Sequence, residues 1–168
     1  MPKTVFTGDH LLVIERDRWQ FVERKKGKEA VAVIAETDDG KVILTEQFRR
    51  PVNARVIDWP AGLVGDDDPS ADAATTAKKE LEEETGYVCE SVERLVKGPT
   101  SPGITSELVT FYRARGVRKA GKGGGVGGED ITVHAIPRGE LVHWLNDQGA
   151  LIDLKVWSGL YFLAATHR

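Results

Sequence analysis

A single cysteine, Cys89, in 168 residues excludes an internal disulfide framework and fits a reducing compartment. Long apolar runs are missing too: the longest, such as Ala30–Ala35, are strand-sized and far short of a bilayer span. Met1-Pro2-Lys3-Thr4 leads into charged residues rather than an apolar signal core. The expectation is therefore a cytoplasmic chain with no membrane partner. A basic excess is also absent, since 23 Lys and Arg face 26 Asp and Glu for a formal charge of −3. Nonspecific nucleic-acid binding needs the opposite balance, so no nucleic-acid partner is expected. His10, His134, His143 and His167 are scattered, with no zinc spacing among them and Cys89. What is present suffices for a core, with 40% hydrophobic and 29% charged residues.

The first sixty residues read as strands. Leu11–Ile14 and Trp19–Val22 are short β-prone runs, and Ala30–Ala35 and Val42–Thr45 flank the hairpin signal Asp38-Asp39-Gly40. Arg55–Trp59 is a further extended piece that stops at Pro60. The pattern then turns helical from Ala71 to Thr85, with Ser70 predicted as N-cap and Gly86 as the C-terminal stop. Ala74, Ala77 and Leu81 form its narrow apolar stripe. Strands are expected at Ser91–Val96, Leu108–Tyr112 and Ile131–Ile136, and helices from about Pro137 to Asp147 and from Asp153 to the end. Residues 121–128 hold six of the 18 glycines and read as a mobile surface loop.

The segment Lys79-Glu80-Leu81-Glu82-Glu83-Glu84-Thr85-Gly86-Tyr87 carries the most chemistry. Helical spacing puts Glu80, Glu83 and Glu84 on one face, where like charges repel unless a cation compensates. Hard oxygen donors on a rigid helix suit Mg²⁺, with Mn²⁺ as a substitute. Taken alone, such a stretch is read first as a solvated acidic face.

The context adds a resemblance. Glu80, Leu81, Glu83, Glu84, Gly86 and Tyr87 match, in register, the C-terminal half of the Nudix box, G-x5-E-x7-R-E-U-x-E-E-x-G-U, where U is a bulky apolar residue. Pro60-Ala61-Gly62-Leu63-Val64 resembles the approach to that box in Nudix enzymes acting on ADP-ribose and nucleotide sugars. Lys79 stands where the pattern has Arg, so charge is kept and the guanidinium fork is lost. Counting back from Lys79 puts Ala71 at the first Glu position, and Gly62 to Lys79 is three positions longer than the pattern.

The resemblance implies the Nudix α/β/α sandwich, a mixed sheet with the carboxylate helix on one face and the C-terminal helices on the other. Residues 1–50 are expected to form an additional antiparallel β extension, and residues 51–168 the Nudix hydrolase domain. In relatives such an extension crosses to a partner subunit, which implies a homodimer. Glu80, Glu83 and Glu84 with the Ala61 carbonyl would be the metal ligands, Glu83 also orienting water. Glu129-Asp130-Ile131-Thr132-Val133-His134 is similar to a stretch of ADP-ribose pyrophosphatases in which a loop Glu serves catalysis, so Glu129 is the candidate base.

Arg49, in Glu46-Gln47-Phe48-Arg49-Arg50, matches an Arg that contacts substrate phosphates. Its neighbour Arg50 is as readily a surface or cross-subunit cation as a substrate ligand. Ser101-Pro102-Gly103-Ile104-Thr105-Ser106-Glu107 is similar to a loop beside the substrate and makes Glu107 a candidate, with loop capping the alternative. His134 and Cys89 read as structural, Trp144 and Trp157 as core, and Trp19 and Trp59 as free to stack on a base or not.

The implied reaction is metal-dependent hydrolysis of a nucleoside diphosphate-linked small molecule, ADP-ribose first, to AMP and ribose 5-phosphate. A nucleotide sugar such as GDP-mannose or ADP-glucose is the alternative, and a nucleotide-sensing domain without catalysis the more distant one. Charge distribution fits the first two. Residues 62–87 carry eight acidic side chains against Lys78 and Lys79, so the remainder of the chain is slightly basic.

Overall fold

The computed structural model describes residues 1–27, 29–66, 68 and 70–165. Its elements run β1 (Lys3–Thr7), β2 (Leu11–Arg16), β3 (Trp19–Arg24), β4 (Glu29–Glu36), β5 (Lys41–Arg49), β6 (Ala54–Asp58) and β7 (Ala61–Leu63). There follow α1 (Ala73–Thr85), β8 (Tyr87–Val88), β9 (Ser91–Pro99), β10 (Leu108–Arg115), β11 (Arg118–Lys119) and β12 (Thr132–Pro137). The chain closes with α2 (Leu141–Asn146), β13 (Leu151–Ile152) and α3 (Leu154–Ala164).

β4 is the spine of an eight-stranded mixed sheet ordered β13-β6-β5-β4-β10-β9, with β12 added to β5 and β7 to β4. Its apolar run is buried on both faces. Val31, Val33 and Ala35 pack toward α1 with Ala77 and Leu81, while Ala32 and Ile34 pack toward α2 and α3 with Leu141, Leu145 and Val156. Strict alternation along one strand thus divides the core into two layers and gives the expected α/β/α arrangement.

β1, β2 and β3 form a separate antiparallel sheet that stops at Arg24. Glu29–Arg49, expected within the N-terminal extension, lies instead at the centre of the large sheet, because two-sided burial of Ala30–Ala35 cannot be met at a periphery. The N-cap also moves. Asp72, not Ser70, caps α1 by accepting from the Thr75 N–H at 2.7 Å, while Ser70 is turned onto Asp68. Of the acidic run and helix start, Asp67 and Pro69 lie outside the described residues, as do the last three positions of the expected C-terminal helix.

Trp59 is fully buried, and its indole N–H donates to the Lys155 carbonyl at 2.9 Å, so it is core rather than a base-stacking ring. Trp157, expected in the core, is on the outer side of α3. Beneath Trp59, Lys155 Nζ reaches Asp58 at 2.9 Å and Asp153 at 2.5 Å. Burial pushes Asp58 up to about 6, against the pull of Lys155 and the Trp59 N–H. Lys155→Met leaves that carboxylate buried without its cation. The expected loss is about 3 kcal/mol, larger at pH 8, where Asp58 is ionised, than at pH 5. Urea unfolding at the two pH values measures it, and Asp58→Asn added to Lys155→Met recovers part of the loss.

Candidate active site

α1 presents the carboxylates. Asp72 starts the helix and Gly86, in the left-handed region, ends it by donating to the Glu82 carbonyl. Glu84 lies against the sheet at 5% exposure, and one carboxylate oxygen accepts from the Ala61 N–H on β7 at 3.0 Å. Burial pushes the Glu84 carboxyl up to about 8, and the charges of Glu80 and Glu129 act the same way; the Ala61 N–H and Arg49 oppose them. Four of the expected site residues, Arg49, Glu80, Glu84 and Glu129, therefore share one electrostatic neighbourhood. Ala61 joins them through its backbone.

Glu80 rests on Gly62. A methyl group on Gly62 would overlap the Glu80 carboxyl, so only a glycine leaves room there for the carboxylate. Glu83 is paired with Lys79 at 2.9 Å along the helix, so the lysine in the arginine position of the box keeps a partner. Glu82 is exposed.

Among the described residues no three His, Cys, Asp or Glu side chains converge into a ready metal cage. The donor chemistry nevertheless fits a hard divalent cation. Burial, with the charges of Glu80 and Glu129 adding to it, holds the Glu84 carboxyl toward its neutral form, so a cation bound among these oxygens would favour the ionised form. Glu80, Glu83 and Glu84 are the side chains that would supply the oxygens.

Glu129 is exposed, and one of its carboxylate oxygens accepts from the Val126 N–H at 3.2 Å. The glycine-rich stretch before it is not the free loop its composition indicates. Ala120 and Gly121 each donate to the Gly86 carbonyl at 2.9 Å, Gly124 to Glu84 at 2.8 Å and Gly125 to Glu83 at 3.1 Å. Lys119 Nζ adds a bond to the Thr85 carbonyl at 2.7 Å and sits over the Tyr87 ring. The run thus caps the last turn of α1, satisfying carbonyls a helix end otherwise leaves open. The glycines are legible in the sequence; their docking partner is not.

Other expectations fall elsewhere. Arg50 is exposed in the short 3₁₀ turn Arg50–Val52. Glu107 accepts from Arg24 Nε at 2.6 Å and so ties its loop to β3, and Trp19 Nε1 donates to Gly103 at 3.3 Å along the same seam. His134 pairs with Glu46 at 2.8 Å and packs on Trp144, a structural role. Cys89 is half-buried against the α1 side of the core, which raises its thiol pKa.

A NUDIX domain model matches residues 26–149, which include α1, Arg49 and the Glu129 loop. The chain belongs to the NUDIX domain family. Within it, the chain is 40% identical over 103 residues to a methanol dehydrogenase activator of Bacillus methanolicus, covering 61% of this chain and 54% of that protein. It is 40% identical over 85 residues to an ADP-ribose pyrophosphatase of Bacillus subtilis (strain 168), covering 51% and 44%. A GDP-mannose pyrophosphatase of Pectobacterium atrosepticum is 33% identical over 138 residues, covering 77% of this NUDIX chain and 69% of the relative. The aligned segments span about half the length of the two Bacillus relatives. A crystal structure of an ADP compounds hydrolase has the same fold, with TM-score 0.67 and 19% identity over 88% of this chain and 81% of that one.

Proposed function

We propose that this NUDIX domain hydrolyses the diphosphate linkage of ADP-ribose, giving AMP and ribose 5-phosphate. The observation that carries the reading is geometric: Glu84 is buried on the Ala61 N–H, Glu80 rests on Gly62 beside it, and the glycine run that leads to Glu129 is bonded to the Glu83 and Glu84 carbonyls, with Arg49 at the end of β5. A diphosphate needs cations against its oxygens and a base for the attacking water, and these residue types supply both. Glu80, Glu83, Glu84 and the Ala61 carbonyl would hold Mg²⁺, or Mn²⁺ in its place, which would supply positive charge against the phosphate oxygens.

Arg49 holds a phosphate through its guanidinium fork. Glu129 accepts the proton of the water that attacks phosphorus, and the bond to the bridging oxygen breaks. Arg50 and Glu107 are peripheral substrate contacts in this reading. The similarity to the Bacillus subtilis ADP-ribose pyrophosphatase supports the substrate.

A nucleotide sugar is the second reading, favoured by the GDP-mannose pyrophosphatase whose length this chain covers more fully. The chemistry is shared; only the groups flanking the diphosphate differ.

We also infer a cytoplasmic homodimer. Among the described residues no helix is long and apolar enough to cross a membrane. Phe6 and Leu11 lie on one face of the three-stranded sheet and are exposed, an apolar surface that a second copy would cover. Light scattering at about twice the 18.4 kDa chain mass supports the dimer, and the chain mass itself refutes it. The catalytic reading is tested by metal dependence: ADP-ribose turnover is abolished by a chelator and restored by Mg²⁺.

A further inference from the structure

The glycine run does more than close the end of α1. Gly125 donates its N–H to the Glu83 carbonyl, and four residues later the chain reaches Glu129. The Glu129 side chain folds back over the Gly125 Cα. A Cβ on Gly125 would lie 2.6 Å from Glu129 Oε2, 2.7 Å from Glu129 Cβ and 3.0 Å from Ile131 Cδ1. A carboxylate oxygen can swing away from such a contact; a Cβ moves only with its backbone. Ile131 is buried, so the far side of this arc is fixed as well. Two contacts close the turn, the Glu129 N–H onto the Val126 carbonyl at 3.2 Å and the Val126 N–H onto Glu129 Oε2 at 3.2 Å.

We propose that Gly125 is a positioning residue, the seat that registers the Glu129 carboxylate against the last turn of the carboxylate helix. One short backbone connection then sets the distance between the base and the acidic helix face. This rests on the catalytic reading of Glu129 given above. Gly127 and Gly128 serve as internal controls. Gly125, Gly127 and Gly128 all have positive φ (84°, 64° and 93°), but a Cβ on Gly127 or Gly128 meets nothing within 4 Å. Alanine therefore meets unfavourable backbone conformation at each of these positions and a collision with Glu129 only at Gly125.

Displacing a reacting group by about an ångström costs on the order of a hundredfold in rate. Gly125→Ala is expected to lower kcat by about 30-fold with KM and Mg²⁺ affinity little changed, and Gly127→Ala to lower it by less than about threefold. In a Glu129→Gln background, Gly125→Ala is expected to cost no further activity. Equal losses in Gly125→Ala and Gly127→Ala, or a full additional loss in Glu129→Gln, would overturn the assignment.

Amide exchange provides a readout that does not require the alanine variant to fold. Glu129→Ala is expected to speed exchange at Val126, which loses its acceptor, while Gly125, still bonded to Glu83, is unchanged. Unaltered exchange at Val126 would show that Glu129 does not occupy this seat. Glu129→Gln measured alone separates the two ideas, since wild-type turnover there removes the base assignment itself.

Discussion

Glu84→Gln is expected to make the metal-free protein more stable and the enzyme inactive. The stability gain follows from a carboxyl whose folded-state pKa is about 8, against an ordinary value of 4.5. A group raised on folding binds its proton more tightly in the folded state. Its contribution is fully present below the unfolded value and is lost as pH rises through the folded one. Metal-free protein should therefore lose about 3 kcal/mol between pH 5 and pH 8 from this group. Glutamine can still accept from the Ala61 N–H, so the variant keeps the hydrogen bond and removes the charge. The same change removes a proposed cation ligand, which is worth several kcal/mol of transition-state stabilisation, or roughly a thousandfold in kcat. Denaturant midpoints of both proteins at pH 5 and pH 8, in chelator, test the first effect, and steady-state rates in saturating Mg²⁺ test the second. A variant no more stable than the parent at pH 8 would contradict the buried-charge description of Glu84.

Glu129→Gln is expected to keep the fold and Mg²⁺ affinity and to lose about 10²- to 10³-fold in kcat. Glu129 is exposed and lies on a separate segment from α1, so its amide replaces it without packing cost. General-base catalysis requires a group able to take the proton, and an amide cannot. KM is expected to stay nearly constant because Arg49 and the cation that the helix carboxylates would hold, not Glu129, bind the diphosphate in this reading. Stopped-assay rates with isothermal titration of Mg²⁺ separate the two quantities. Rates equal to the parent would remove Glu129 from the mechanism, and lost Mg²⁺ binding would make it a ligand rather than a base.

Much of this site is visible in the order of the residues because helix periodicity is local. Glu80, Glu83 and Glu84 share a face by spacing alone, and Gly86 ends the helix where its freedom of φ is required. The hairpin at Asp38-Asp39-Gly40 and the two-faced burial of Ala30–Ala35 follow from equally local patterns. What was not legible depends on contacts between distant segments. Composition describes the glycine run as mobile, yet its amides meet the carbonyls of residues 83–86, some forty positions earlier. The cover of α3 over Trp59 and the pairing of Arg24 with Glu107 join segments more than eighty positions apart, which no local pattern encodes. The N-cap shifted by two residues because aspartate and serine cap equally well and only backbone geometry chooses between them.

In the proposed reaction the carboxylate helix, Arg49 and Glu129 together open a diphosphate bond. Its most direct test is the initial rate of nucleotide release from ADP-ribose, GDP-mannose and ADP-glucose, each with Mg²⁺ and each with chelator. The expected result is metal-dependent AMP and ribose 5-phosphate, formed fastest from ADP-ribose. Faster turnover of GDP-mannose would transfer the assignment to a nucleotide sugar; release from none of the three, with Mg²⁺ or Mn²⁺, would contradict the claim.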